Sequence, residues 1–258
     1  KPAADLSKVS QGYKDGYNAA YKVAHASYDT DKTTGAADGT ATGLAGKTKA
    51  DLTGKSAGYV AGYTKGYTAG QTSYNDQNTA GTKVGSADAL AGKVPADLTS
   101  EPKGYQDGYT TAYSTARTSY ETDYQNGQVT GQTDGTNNKT TDNTGKSAGY
   151  QAGYQDGHQT GEQLYNTAKT AGTTAGTSDG LAGKPLADLS KQPQGYQDGY
   201  NAAYKAAKGS YDTDEITGTA VGASDGLAGK TTPADLTGKS AGYKAGYTNG
   251  YTTGQKTY

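Results

Sequence analysis

Residues 239–258 read KSAGYKAGYTNGYTTGQKTY, and the placing of four tyrosines in that stretch decides the fold. Tyr243, Tyr247 and Tyr251 stand four apart, and Tyr258 lies 15 residues after Tyr243. Steps of four suit one face of a strand or of a helix, but an odd step of 15 would throw the last ring to the other face of a strand. At about 100° per residue, steps of 4, 8 and 15 fall within about 80° of arc on a helix. The spacing therefore predicts an α-helix with a single tyrosine stripe. A glycine-rich polyproline-type helix would need period three, which is absent.

The same pattern runs through the whole chain. A Gly-Tyr start recurs at Gly12, Gly58, Gly104, Gly149, Gly195 and Gly242, in steps of 46, 46, 45, 46 and 47 residues. Six copies alternate in flavour between GYQDGYNAAYKAAKGSY (195–211) and the type quoted above, so the larger unit is a pair. Repeat pairs are predicted at 1–96, 97–187 and 188–258, the last incomplete. All 24 tyrosines fall in these segments. The ladders are Tyr13, Tyr17, Tyr21; Tyr59, Tyr63, Tyr67; Tyr105, Tyr109, Tyr113; Tyr150, Tyr154 with His158 in the third place; Tyr196, Tyr200, Tyr204; and Tyr243, Tyr247, Tyr251. The next place on the stripe is polar and varied (His25, Gln71, Arg117, Glu162, Lys208, Gln255), as where a stripe leaves a core.

A small residue precedes each ladder tyrosine, for example Gly58, Gly62 and Gly66. Each interior glycine costs a helix roughly 0.8–1 kcal/mol against alanine, so the stripe makes sense where another backbone approaches closely. The second half of a copy repeats the step without aromatics, as in Gly35, Gly39 and Gly43, or Gly172, Gly176 and Gly180. It reads as a second helix, separated from the first by a polar turn such as Asp29–Asp31 or Asp212–Asp214 and offering a small-residue face to the tyrosines. Residues 126–145, which are polar, read as partly loop. Gly46, Gly92, Gly183 and Gly229 sit where a helix would end. Asp-Leu-Ser/Thr, as at Asp5, Asp51 and Asp188, reads as the next N-cap. The predicted architecture is an elongated, all-α, solenoid-like array with two helices per copy.

Composition narrows the function. The chain has 258 residues, a net charge of −1, 40 glycines and no Cys, Met, Trp or Phe. Eleven Leu, seven Val and one Ile cannot build one large core. Balanced charge argues against a nucleic-acid partner, and no apolar run is long enough to span a bilayer. The chain opens on Lys1 and is read as a piece of a longer one. Gly-Lys-Ser/Thr occurs at Gly46, Gly54, Gly145, Gly229 and Gly238, but a phosphate loop needs a glycine five residues earlier, where Ala41, Lys49, Thr140, Ser224 and Pro233 stand. His25 and His158 lie in different copies without paired ligands, which speaks against zinc. No cofactor, metal or catalytic residue is expected, and the chain does not read as an enzyme. The ladders are the one sharp candidate: aligned phenols could stack on sugars or meet a protein partner, or could simply form the core.

Glycine–tyrosine ladders, Thr/Asn/Asp-rich linkers, alternating long repeats and missing cysteine together resemble repeat regions of Gram-positive (Lactobacillaceae-like) cell-wall-anchored adhesins. That resemblance implies an extracellular, cell-surface protein that binds host or matrix glycans, glycoproteins or matrix protein through the ladder tyrosines named above, with self-association as a further possibility. The alternative is a passive stalk that holds another binding domain off the wall.

Overall fold

A computed structural model describes residues 2–258. Among them there are six α-helices and no strand: α1 Gln11–Leu44, α2 Ala57–Leu90, α3 Lys103–Thr136, α4 Ala148–Leu181, α5 Gln194–Leu227 and α6 Ala241–Thr257. The chain forms two compact units, one up to Glu121 and one from Thr122 onward, and the division falls inside α3.

Each complete copy is one helix, not two. The segment expected to turn after Tyr28 runs straight through α1, and its counterpart after Tyr211 runs straight through α5. Polar residues there satisfy one another along the helix. His25 Nδ1 pairs with Asp29 Oδ2 at 2.8 Å, Lys208 pairs with Asp212, and the Thr33 hydroxyl donates to the Asp29 carbonyl at 2.9 Å. All five complete helices have 34 residues, and the segments between helices have 11 to 13. The uneven repeat spacing thus resides in the linkers.

Helix ends follow the glycine punctuation. Gly46 has φ +67, its N–H donates to the Gly43 carbonyl at 3.0 Å, and the Lys47 N–H reaches back to Thr42 O at 3.2 Å. That is a Schellman end, repeated at Gly92, Gly183 and Gly229. In α3, Asn138 takes the left-handed place with φ 53, asparagine being one of few side chains that tolerate it. The polar stretch 126–145 is accordingly helix to Thr136 and linker beyond. The starts differ from expectation. Ser56, Ser147 and Ser240 are the N-caps, their hydroxyls accepting the N–H of Tyr59, Tyr150 and Tyr243 at 3.2 Å. Asp-Leu-Ser/Thr instead closes a turn inside the linker: Asp51 Oδ1 accepts the Thr53 N–H at 2.9 Å, Asp5, Asp97, Asp188 and Asp235 do likewise, and Asp142 does so in Asp-Asn-Thr.

Neighbouring helices pair in parallel, back to back along glycine. In the α1–α2 seam, Gly35, Gly39 and Gly43 face the backbone at Tyr59, Tyr63 and Tyr67, while Gly58, Gly62, Gly66 and Gly70 face Tyr28, Lys32, Ala36 and Thr40. Both rows ascend together, so the helices run the same way. The second-half glycines thus meet the next copy rather than folding back on their own. Gly81 and Gly85 repeat the pairing against Tyr105 and Tyr109, Gly127 and Gly131 against Tyr150 and Tyr154, Gly172 and Gly176 against Tyr196 and Tyr200, and Gly218 and Gly222 against Tyr243 and Tyr247. Gly39 lies opposite Tyr63–Tyr67 and Gly62 opposite Lys32–Ala36; a residue is level with one about 27 places later, which leaves a stagger of about 19 residues, or roughly 29 Å, between copies. The six glycines of α2 cost about 5 kcal/mol in helix propensity, a penalty offset only because no side chain fits in the seam. A Cβ on Gly62 would stand 2.8 Å from the Lys32 carbonyl carbon and 2.9 Å from the Ala36 nitrogen.

Candidate functional site: the tyrosine ladders

With glycines against the neighbouring backbone, the adjoining tyrosines project beside the seam. They stack as ladders: Tyr59–Tyr63 at 6.1 Å and Tyr63–Tyr67 at 6.2 Å between ring centres, Tyr109–Tyr113 at 5.8 Å, Tyr200–Tyr204 at 5.8 Å, and Tyr247–Tyr251 at 5.9 Å. These lie in the range of favourable offset stacking. The middle rung is the core. Tyr63, Tyr109, Tyr154, Tyr200 and Tyr247 are buried, four of them to 2% exposure or less. The first rungs (Tyr59, Tyr105, Tyr150, Tyr196, Tyr243) and the third rungs Tyr67, Tyr113 and Tyr204 are half-buried, and Tyr251 is buried. In the first copy Tyr13 is 59% exposed, and Tyr17 and Tyr21 are half-buried.

The linker entering each helix lies over its ladder. The middle hydroxyl accepts a linker amide: Ala50 N–H to Tyr63 at 3.2 Å, Ala96 to Tyr109 at 3.0 Å, Thr141 to Tyr154 at 2.8 Å and Ala234 to Tyr247 at 2.9 Å. That hydroxyl then donates to an aspartate near the end of the preceding helix: Tyr109 to Asp88 at 3.2 Å, Tyr154 to Asp134 at 2.9 Å, Tyr200 to Asp179 at 3.0 Å and Tyr247 to Asp225 at 2.8 Å. Lysines just past the cap complete the node, with Lys93 on Asp88 and Lys184 on Asp179 at 2.8 Å, and Lys230 on Asp225. In the α1–α2 seam Thr42 replaces this aspartate, and the carboxylate moves one turn back, where Asp38 accepts the Tyr59 hydroxyl at 2.7 Å.

The third rung ties down the cap itself. Tyr113, Tyr204 and Tyr251 donate to the carbonyls of Lys93, Lys184 and Lys230 at 2.6 Å, and Tyr67 to Lys47 at 3.1 Å. His158 does the same through Nε2 to the Lys139 carbonyl at 2.8 Å. Its acceptor being a carbonyl, Nε2 carries the proton, so the histidine is a ladder rung by another chemistry. The last tyrosine of a copy fills the space over the cap glycine: Tyr74 lies over Gly46, Tyr120 over Gly92, Tyr211 over Gly183 and Tyr258 over Gly229. Tyr74 and Tyr165 also donate to Asp107 and Asp198 of the following helix at 2.7 Å.

The electrostatics follow. The lysine ammonium holds the Asp88, Asp179 and Asp225 carboxyls below the ordinary range, helped by the tyrosine hydroxyl. Burial, joined by the facing carboxylate, pushes the phenols of Tyr109, Tyr154, Tyr200 and Tyr247 up. For Tyr59, Tyr74 and Tyr165 the hydrogen-bonded aspartate is the main cause of the rise. A phenol raised in this way beside a carboxylate stays protonated near neutrality.

The predicted site residues are therefore brought together copy by copy, with most hydroxyls engaged by linker, cap and carboxylate. Sequence reasoning missed the aspartate four places before the cap and the linker alanine whose amide meets the middle rung, although both recur in the repeat. Elsewhere, Gly54, Gly145 and Gly238 are turn glycines with φ near +80 in the linkers, and His25 is an exposed partner of Asp29. Among the described residues no helix is long and apolar enough to cross a membrane, and no three His, Asp or Glu side chains gather as a metal site would require. No protein-family model, no curated protein and no solved structure matches this chain.

Proposed function

We propose that the chain is a structural spacer, a repeat array that sets the distance between other segments, of the stalk kind implied by its resemblance to Gram-positive surface proteins. The observation that supports it most is the use made of the ladders: phenol, carboxylate, lysine and linker amide bond one another in the α2–α3, α4–α5 and α5–α6 seams. Each seam uses half of one helix and half of the next, so copies add without a new kind of contact. The test is a series of chains with two, four and six copies measured by small-angle scattering. The maximum dimension should increase with each pair of copies added. A dimension that levels off with copy number refutes the spacer.

An adhesin reading, with host or matrix carbohydrate bound at the ladders, is favoured by one observation. First rungs are half-exposed and carry a cation on the ring in alternate copies: Lys55 over Tyr59 at 5.1 Å, Lys146 over Tyr150 at 5.3 Å and Lys239 over Tyr243 at 5.0 Å. A glycan array answers it. Binding abolished by Tyr59→Ala, Tyr150→Ala and Tyr243→Ala in a chain that keeps its helicity would establish the adhesin; no binding by the parent chain sets it aside.

A further inference from the structure

The first half of α1 has the same build as the first halves of α2 to α6 and lacks their neighbour. Gly58 and Gly62 are buried against α1, whereas their counterparts Gly12 and Gly16 are exposed, with nothing within 4 Å of a Cβ placed there. No residue of α1 before Gly35 is buried. Yet the ladder is assembled: Tyr13–Tyr17 and Tyr17–Tyr21 stack at 6.5 and 6.0 Å, and Ala4 N–H donates to the Tyr17 hydroxyl at 3.0 Å, as Ala50, Ala96 and Ala234 do to their own rungs. What Tyr17 lacks is the carboxylate that Tyr109, Tyr154, Tyr200 and Tyr247 have opposite them.

Five seams in the same chain show what covers this face. We infer that the Gly12–Gly16–Ala20 face of α1 is a docking surface for the second half of a repeat of this class. The occupant is a parallel helix with glycine at every fourth place and an aspartate four residues before its cap glycine. The aspartate meets Tyr17, and the glycines meet the backbone at Tyr13, Tyr17 and Tyr21. Among the described residues no half-helix is left over for the role, because the second halves of α1 to α5 are all occupied by the helix that follows. The inference rests on helix pairing alone and stands or falls separately from the spacer reading.

The test joins a second copy of Asn166–Gly183 directly to Lys1. The linkers beginning at Lys1 and Lys184 have the same length to Tyr13 and Tyr196, so the junction reproduces that between α4 and α5. Tethering supplies the occupant at high effective concentration. Amide exchange at residues 12–21 should slow at least tenfold in the extended chain, and should not slow when the added counterpart of Gly176 is changed to leucine. Gly16→Ala supplies the second readout. In the original chain it should raise the unfolding midpoint, since alanine there gains propensity and meets nothing; in the extended chain it should lower it, as a Cβ in a closed seam must. Unchanged exchange overturns the proposal, and so does Gly16→Ala raising the midpoint equally in both chains.

Discussion

Gly62→Ala against Gly209→Ala isolates the physical claim on which the fold depends. Both glycines lie inside helices with ordinary helical backbone, and both replacements gain about 0.8–1 kcal/mol of helix propensity. Gly209 has nothing within 4 Å of its would-be Cβ, so that gain should appear undiminished. At Gly62 the methyl would stand 2.8 Å from the Lys32 carbonyl carbon, closer still to its oxygen, and 2.9 Å from the Ala36 nitrogen. Carbon contacts prefer about 3.5–4.0 Å, so the helices must part by roughly 1 Å or more. Neither partner is a flexible side-chain end, so the strain is shared by the whole seam, including the packing of buried Tyr63. Overpacking of this kind costs about 1–3 kcal/mol, often at the upper end when backbone must move; less the propensity gain, Gly62→Ala should destabilise by about 1–2 kcal/mol while Gly209→Ala stabilises by up to about 1. Urea unfolding followed by helical circular dichroism reads both. If Gly62→Ala stabilises as Gly209→Ala does, the close glycine seam is wrong.

Tyr109→Phe removes the hydroxyl that links the Ala96 amide to Asp88, leaving both without their partner; a loss of about 1–2 kcal/mol is expected, while Tyr13→Phe should be neutral within about 0.5 kcal/mol. Asn138→Gly should stabilise by up to about 1 kcal/mol, because glycine adopts the positive φ of that cap freely, whereas Gly92→Ala, with φ +73 and the Tyr120 ring against it, should destabilise. The raised phenols fix an alkaline limit. Their folded values lie above the unfolded value of about 10, so their contribution is full below that pH and is lost as pH climbs past it. In a pH titration, tyrosinate absorbance of the buried set should rise together with loss of helicity; all 24 tyrosines ionising smoothly near pH 10 with helices intact would contradict the buried ladders.

Helix identity was legible because a 15-residue offset is incompatible with a strand, and the cap glycines were legible because nothing else tolerates their backbone so well. Helix continuity was not. Asp29–Asp31 has turn composition, and only the pairing of His25 with Asp29 and of Thr33 with the Asp29 carbonyl shows how the helix absorbs it. Nor could the sequence choose the partner of the Gly35–Gly39–Gly43 ridge, since a step of four fits a ridge from its own copy as well as from the next. The 12-residue linker, able to run back along the following helix, makes the parallel solution reachable. Of the site, the rungs were visible from spacing. Their roles were hidden because each rung's hydroxyl partner lies about 13 or about 20 residues back, in the linker or near the end of the preceding helix.

Constant helices joined by linkers of uneven length have a consequence for how such a chain can change. One residue inserted between Gly70 and Gly81 would swing everything after it by about 100° about the helix axis, carrying Gly81 and Gly85 off the backbone they face in α3. The same residue added to a linker becomes slack in a strap held by a few bonds. Insertions and deletions are thus sorted by address: the helices keep phase like the teeth of a gear, and the straps take up the play.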